Sequence, residues 1–293
     1  MAKTTTQAAT RQPETRAVAT TGGHDAPAFL QEKVKQDAGK GVSTAQEDNL
    51  VPMIYIIQTN SPQCNKRSEQ YIGGAEPGDI WLRGAPHPIV KGEEGITAQP
   101  CYFYKEWVEW IPRDEGGGGG AGFVARYDHD RRPEAAKQKA LDPKKPDQLT
   151  WVMPNGNHVI ETRVHVLRVH TRDGVLNYVL PLSGSGHSFS RGWMTLLNSK
   201  MIGPDIAPSW AALYRLRTTL RKNSDGEWFM FVSADEGGDG THWVDLAQYE
   251  AGAKLNAQFI TGEKKADMGQ AEAEHGQEPA AEKPKGNTAR ANI

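Results

Sequence analysis

The sequence predicts a β-rich α+β domain in which about two helices accompany a curved or barrel-like antiparallel sheet. In the middle of the chain, apolar and polar residues alternate with a period of two, the pattern of half-buried strands. Turn residues separate about eight such segments, a spacing typical of antiparallel sandwiches and barrels. All 8 tryptophans lie between Trp81 and Trp243, which places the core in that part of the chain.

The two ends of the chain differ in composition from its middle. Residues 1–48 contain a threonine run, a Gly-Gly pair and few large apolar side chains, so burial would not offset the entropy lost on ordering. Residues 263–293 are rich in Ala, Glu, Gly, Gln and Lys and contain no aromatic residue. We therefore predict a disordered N-terminal tail over 1–48, one folded domain over 49–262 and a disordered C-terminal tail over 263–293.

Composition excludes several classes of protein. No apolar run approaches the roughly 18 residues of a transmembrane helix, and the N-terminus lacks the apolar segment of a secretory signal. Two cysteines, Cys64 and Cys101, are too few for a disulfide scaffold or a four-cysteine zinc site, and favour a reducing cytoplasm. The formal charge of −2 excludes a histone-like polycation.

The first half of the domain is predicted to consist of strands and loops. Strands are expected over 51–58, 78–82, 95–111 and 123–127. Pro100 marks a break or an edge position in the third strand, because proline cannot donate to a ladder. The glycine run at 116–120 is expected to be a flexible loop, and residues 131–146 a polar insertion that is partly helical.

The second half is predicted to contain two hairpins and two helices. Thr171-Arg172-Asp173-Gly174 turns the first hairpin, between strands over 158–170 and 175–182. The second runs over 211–222, turns at 223–226 and returns over 227–233. The helices are expected over 188–201, capped by Ser188, and over 244–261. Their apolar stripes are Phe189, Trp193, Leu196 and Leu197 in the first helix, and Leu246, Tyr249, Ala253 and Phe259 in the second.

The loop Ser183-Gly184-Ser185-Gly186 precedes a predicted helix, the position of a phosphate cradle. It lacks the Gly-Lys-Ser/Thr ending of a P-loop, the glycine spacing of a dinucleotide site and the first glycine of a hydrolase elbow. We therefore expect a flexible loop here.

Two groups of acids weakly resemble metal sites. In Asp128-His129-Asp130 the ligands alternate across an extended chain, so only two face one ion. Asp147 followed by Glu161-Thr162-Arg163 resembles a restriction-type nuclease core, but arginine replaces its lysine and cannot act as a base. We therefore expect no enzyme activity, no metal site and no cofactor.

Basic and aromatic residues on the predicted strands are the features that indicate a function, namely nucleic-acid binding. Alternation places arginines on one face of the strand over 211–222 and apolar residues on the other. Arginine forks fit phosphate, and exposed rings stack on bases at roughly 1–3 kcal/mol each. The candidate phosphate contacts are Arg215, Arg217, Arg221, Lys222 and Arg163. The candidate stacking residues are Tyr102, Tyr104, Trp107 and Trp228.

Several stretches of the domain resemble a family of phage-encoded proteins found near replication and recombination genes. They include Val51-Pro52-Met53-Ile54-Tyr55-Ile56-Ile57-Gln58, Tyr71-Ile72-Gly73-Gly74-Ala75-Glu76-Pro77-Gly78-Asp79-Ile80 and Glu109-Trp110-Ile111-Pro112-Arg113. Further matches are Pro100-Cys101-Tyr102, Tyr214-Arg215-Leu216 and residues 223–228. The resemblance covers about 49–262 and implies an OB-like fold and single-stranded DNA binding, the label that some members carry.

These observations predict a non-enzymatic, phage-type single-stranded DNA-binding protein in the host-cell cytoplasm. Its partners would be single-stranded DNA and phage replication or recombination proteins, with no membrane, and it could form a homo-oligomer. The chain departs from such binders at its C-terminus, because residues 287–293 include Arg290 and no acid. The alternatives are a virion structural or assembly protein, or a metal-dependent nuclease that uses Asp128, Asp130, Asp147 or Glu161.

Overall fold

A computed structural model describes residues 50–112, 122–141, 146–223, 226–235 and 243–268. Within those ranges the chain forms fifteen strands and two α-helices, and eight of the strands build one antiparallel sheet. This sheet curls strongly into a half-barrel, so the predicted fold class is confirmed. The curl is compatible with an OB-like fold.

Two long strands form the centre of the sheet. β5 (Ile96–Trp110) pairs with β9 (His158–Thr171) from Thr97↔His170 to Trp110↔His158. Their register shifts between Pro100 and Tyr102, so the bulge falls where proline lacks a donor. The predicted strand over 95–111 is therefore one bulged strand.

Shorter strands flank both central strands along their lengths. β13 (Tyr214–Asn223) and β6 (Phe123–Asp128) pair with β5, whereas β10 (Gly174–Leu182) and β8 (Leu149–Val152) pair with β9. β14 (Gly226–Asp235) pairs with β13 at one end of the sheet order, and β7 (Lys137–Ala140) pairs with β8 at the other.

One face of the sheet packs against helix α1 (Gly186–Asn198) and a three-stranded sheet. The small sheet consists of β2 (Ile54–Ile56), β3 (Ile80–Leu82) and β4 (Ile89–Val90). The predicted α1 stripe is confirmed for Phe189, Trp193 and Leu197, which are buried in this first core. The Ser188 cap is wrong: α1 begins at Gly186 after Ser185, and the Ser188 hydroxyl donates to the Ser185 carbonyl at 2.9 Å.

The other face packs against helix α2 (Leu246–Ile260). Asp245 caps this helix, accepting from the Gln248 amide at 2.7 Å. The predicted stripe is wrong at its start, because Leu246 is 72% exposed. The helix instead turns Gly252, Leu255 and Phe259 inward, since a Cβ at Gly252 would lie 2.8 Å from Gln99 and from Trp210.

The described chain begins and ends in one small parallel sheet. β1 (Leu50–Val51) pairs with β15 (Lys265–Ala266), and the Asp267 amide donates to the Val51 carbonyl at 2.9 Å. Ala266 and Met268 are 0% and 1% exposed and belong to the second core. The core thus includes residues beyond 262. The rest of the predicted C-terminal tail, 269–293, and the predicted N-terminal tail lie outside the described residues.

The polar insertion contains a strand where a helix was expected. All four side chains of β7, Lys-Gln-Lys-Ala, are exposed. The glycine run at 116–120 lies outside the described residues. The remaining elements are short: β11 (Met201–Ile202), β12 (Asp205–Ile206) and the 3-10 turns Pro62–Cys64 and Ser209–Ala211. Neither described helix is long and apolar enough to cross a bilayer.

Candidate nucleic-acid interface

The β13–β14 hairpin carries most of the predicted basic residues. Tyr214 and Leu216 are buried, whereas Arg215 and Arg217 point to the opposite side of the strand. β13 pairs with β5 only at Tyr214, Arg215 and Leu216. Beyond them, most side chains of β13 are exposed.

The outer half of this hairpin places a cation opposite a ring. The register between the strands shifts between Arg217 and Thr218, and after this bulge Arg221 lies directly opposite Trp228. The Thr218 hydroxyl donates to the Gly78 carbonyl at 2.6 Å, which anchors the hairpin to the loop before β3. The position of Arg221 and Trp228 is therefore fixed by the backbone pairing.

A surface groove of about 430 Å³ lies between the outer hairpin and the start of α1. We call it the basic groove. The hairpin contributes Arg221, Lys222, Trp228 and Met230, and helix α1 contributes Arg191 and Ser188. Gly184 and Ser185 complete it from the loop before the helix. Three cations and one indole thus converge on a single groove.

The cations of the basic groove are open to an anionic ligand. Within the described ranges, neither Arg191 nor Arg221 has a carboxylate within 4.0 Å. Lys222 Nζ lies 2.6 Å from Glu227 Oε1, with both side chains well exposed. Exposed pairs contribute about 0–1 kcal/mol, so a phosphate can compete for this lysine.

The start of α1 lies at this groove and contributes the positive end of its helix dipole, but its first two backbone amides are already hydrogen-bonded. The amides of Gly186 and His187 donate to the carbonyls of Ser183 and Gly184 at 2.9 and 3.1 Å. Ser185 precedes the helix without a side-chain capping bond. The positive end of the helix dipole therefore favours an anion here, and the Ser185 hydroxyl supplies a donor.

The two predicted phosphate contacts at the start of β13, Arg215 and Arg217, lie outside the lining of the basic groove. Arg215 Nε donates to the Glu94 carbonyl at 2.7 Å, and its Nη1 donates to Thr97 Oγ1 at 2.9 Å. Arg217 is exposed and its side chain passes over Gly95. Arg215 thus holds the loop before β5 to the hairpin.

Tyr102 and Tyr104 belong to the second core. Their rings stack with centroids 5.7 Å apart. The Tyr102 ring also packs on Phe259 of α2, with 6.3 Å between the ring centroids. The Tyr104 hydroxyl accepts from Arg126 Nη2 at 2.9 Å, and burial raises the pKa of this tyrosine. Tyr102 therefore packs α2 against the sheet, and Tyr104 packs beside it in the same core.

The structure places Trp107 in a separate aromatic cluster. Its Nε1 donates to the His129 carbonyl at 2.7 Å, and the His129 ring stacks on it at 6.4 Å. The Arg132 guanidinium lies 5.6 Å from the centroid of Trp107 and 3.4 Å from that of Trp151. The rings of this cluster already have partners from the chain itself.

Arg163 lies on the central strand β9, and its side chain is largely buried beside Glu161 and Phe103. Its Nε is 3.9 Å from Glu161 Oε1, and its guanidinium lies 5.9 Å from the Phe103 ring centroid. Its side chain is 12% exposed. Of the predicted site residues, the structure therefore brings together Arg221, Lys222 and Trp228.

Sequence reasoning missed Arg191. This residue follows the Ser-Gly loop and lies on the exposed side of α1. A basic residue in the second turn of a helix beside a hairpin tip has no short-range signature, because the contact joins segments about thirty residues apart.

The acids of the nuclease alternative do not form a ligand set in the described part of the chain. No group of three or more His, Cys, Asp or Glu side chains there is arranged to hold a metal ion. Glu161 Oε2 lies 3.9 Å from His129 Nε2, beside Arg163.

Comparison with known protein families identifies a match over most of the chain. The model of the Pam3 phage gp34-like protein family matches residues 18–265, which include all but the last three described residues. No curated protein and no solved structure matches significantly. The match spans most of the chain, so this protein belongs to the Pam3 phage gp34-like family.

Proposed function

We propose that this phage protein binds single-stranded DNA without catalysing a reaction, and that the phosphate backbone lies in the basic groove. The observation that carries the proposal is the convergence of Arg191, Arg221 and Lys222 beside Trp228. Cations that follow a backbone, next to a ring on which a base stacks, are the shared features of single-strand binders.

The local charge of the groove matters more than the charge of the whole chain. The formal charge is −2, so long-range attraction to DNA is weak. A groove with three cations can still bind a strand, with an affinity that falls as salt rises. In this role the protein would coat single strands in the host cytoplasm, beside phage replication or recombination proteins.

The test is a titration of purified protein with end-labelled oligo-dT, followed by fluorescence anisotropy at two salt concentrations. We expect the double variant Arg221→Gln/Lys222→Gln to bind more weakly. Its slope of log affinity against log salt should be shallower by about 1.4, since each phosphate contact contributes about 0.7 for single strands. Arg191→Gln should give about half of that change.

The matched control is Lys137→Gln/Lys139→Gln, which removes the same charge from an exposed strand outside the groove. We expect this control to bind as the unchanged protein does. Equal affinities and equal salt slopes for the two double variants would exclude the groove as the binding site. A duplex of the same length should bind more weakly.

Trp228 provides a second readout. If a base stacks on this indole, part of the intrinsic fluorescence will be quenched on titration, and Trp228→Phe will remove that part. The other seven tryptophans remain as an internal reference.

A further inference from the structure

A second and larger cavity, of about 800 Å³, is lined by strands of the main sheet, by β2 and by the start of α1. We call it the inner cavity. Its described lining contains no Lys, Arg, Asp or Glu. Six aromatic side chains line it: Tyr55, Trp110, Phe123, Phe189, Phe229 and Phe231.

The inner cavity adjoins the basic groove. Ser185 and Met230 line both of them. Charge is separated between the two, because the cations line the groove and the rings line the cavity. A ligand that fits both must therefore carry an anionic part beside an uncharged, largely apolar part.

We infer that the inner cavity receives bases of the single strand whose phosphates lie in the basic groove; this inference rests on the proposed function. A nucleotide has the required division of charge, because its base is uncharged and its phosphate is anionic. Cavities of roughly 300–1,000 Å³ suit ligands of this size, and aromatic walls stack on any base.

Polar groups in the wall favour a base over an acyl chain. His158, Thr162 and Ser183 line the cavity among the apolar residues. The Thr162 hydroxyl already donates to the Ile160 carbonyl at 3.4 Å. An acyl chain would leave His158 and Ser183 without partners, at a cost in affinity, whereas the edge of a base can hydrogen-bond to them.

The experiment compares two oligonucleotides of equal length and phosphate number. One is oligo-dT with a single 2-aminopurine, and the other carries abasic tetrahydrofuran sites in place of bases. We expect 2-aminopurine emission to change on binding, and oligo-dT to bind at least about 5-fold more tightly than the abasic strand, the effect of one stacked base.

Two matched tryptophan variants locate the effect. Trp110 lines the inner cavity and is half-buried, in edge-to-face contact with Phe123 at 6.1 Å. Trp151 is equally half-buried in the same sheet but lies outside the cavity, against Arg132. Trp110→Ala should weaken oligo-dT binding about 5-fold and leave abasic binding unchanged, and Trp151→Ala should change neither.

A second variant protects the test against misfolding of Trp110→Ala. Ser185→Trp places a large side chain where groove and cavity meet, at an exposed position with ordinary helical backbone angles. Because Ser185 lines the groove as well as the cavity, abasic binding measures any loss at the groove, and we expect the 2-aminopurine response to fall by more than abasic binding does. An equal fall in both would overturn the inference. Circular dichroism checks that each variant is folded.

The outcomes separate this inference from the proposed function. If no oligonucleotide binds, both are wrong. Suppose that Arg221→Gln/Lys222→Gln weakens binding, but oligo-dT and abasic strands bind equally and 2-aminopurine emission is unchanged. Phosphate binding in the basic groove is then supported, and base binding in the inner cavity is wrong. Saturable binding of laurate that Trp110→Ala abolishes, without any 2-aminopurine response, would assign the cavity to an acyl chain and overturn the inference.

Discussion

Gln58 and Phe229 are joined by two hydrogen bonds between a side-chain amide and a backbone. Gln58 Nε2 donates to the Phe229 carbonyl at 2.9 Å, and the Phe229 amide donates to Gln58 Oε1 at 2.8 Å. The glutamine thereby takes the place of a neighbouring strand beside β14. It fixes the wall of the inner cavity, which both residues line.

Replacing Gln58 by alanine should leave both backbone groups of Phe229 without a partner. We expect the free energy of unfolding to fall by about 1–3 kcal/mol, the cost of unsatisfied, partly buried polar groups. Urea denaturation measures this change. Gln138→Ala on the exposed strand β7 is the control, and an equal effect of the two substitutions would contradict the assigned role.

His165 should make stability depend on pH. The side chain is 0% exposed, its Nε2 lies 2.8 Å from Ser190 Oγ, and its ring stacks on Trp193 at 4.8 Å. Burial, helped by the positive charge of Arg163, lowers the pKa of His165 to about 3 from an ordinary 6.5. Between these values the unfolded chain binds the extra proton.

The free energy of unfolding should therefore fall as pH drops through the window from about 6.5 to about 3. The contribution of this histidine approaches 1.4 kcal/mol per pH unit within the window. His165→Gln should reduce that slope in urea unfolding measured across the window, whereas His129→Gln, at an exposed position, should retain it. An unchanged slope in His165→Gln would show that other groups cause the acid sensitivity.

The end of the core can be tested by truncation. A chain of residues 49–262 lacks Ala266 and Met268, as well as the Asp267–Val51 hydrogen bond. Loss of one large buried side chain alone costs about 2–5 kcal/mol, so we expect a clearly lower Tm than for residues 49–268. Equal Tm values would show that β15 contributes nothing to stability.

Gly95 should be far more sensitive to substitution than Gly74. Both have positive φ angles, +70° and +82°, so alanine is strained at either position by about 1–2 kcal/mol. At Gly95 a Cβ would also lie 2.2 Å from the Leu216 carbonyl, whereas at Gly74 nothing lies within 4 Å. Thermal unfolding should show a further loss of about 1–3 kcal/mol for Gly95→Ala. Similar Tm values for the two variants would refute this packing argument.

Elements with strong local signals could be predicted from the sequence. The β9–β10 hairpin follows from alternation on both sides of Asp173-Gly174, and its strands pair in register from Thr171↔Gly174 onward. Helix α1 follows from its apolar stripe, because Phe189, Trp193 and Leu197 occupy one side at helical spacing.

Features that depend on distant partners could not be predicted. The inward face of α2 is set by Gln99, which is wholly buried and donates to the carbonyls of Trp210 and Gln248 at 2.7 and 3.0 Å. The strand β7 has no apolar alternation and exists because β8 offers it an edge. Local residue propensities therefore predict neither the inward face of α2 nor the strand β7.

The candidate site was predictable only in part, for the same reason. Alternation correctly separates Arg215 and Arg217 from Tyr214 and Leu216. It does not reveal that Arg215 donates to the Glu94 carbonyl and to Thr97 Oγ1. Nor does it reveal that Arg191 lines the same groove as Arg221. Those contacts link segments that only the folded chain brings together.

The lysines of β7 bear on how copies of this chain meet one another. A strand at the end of a sheet presents backbone donors and acceptors that can template another chain. Lys137 and Lys139 are both exposed there, so a second identical edge would bring like charges together as the strands approach. At β7 like-charge repulsion therefore disfavours growth of the sheet by strand addition.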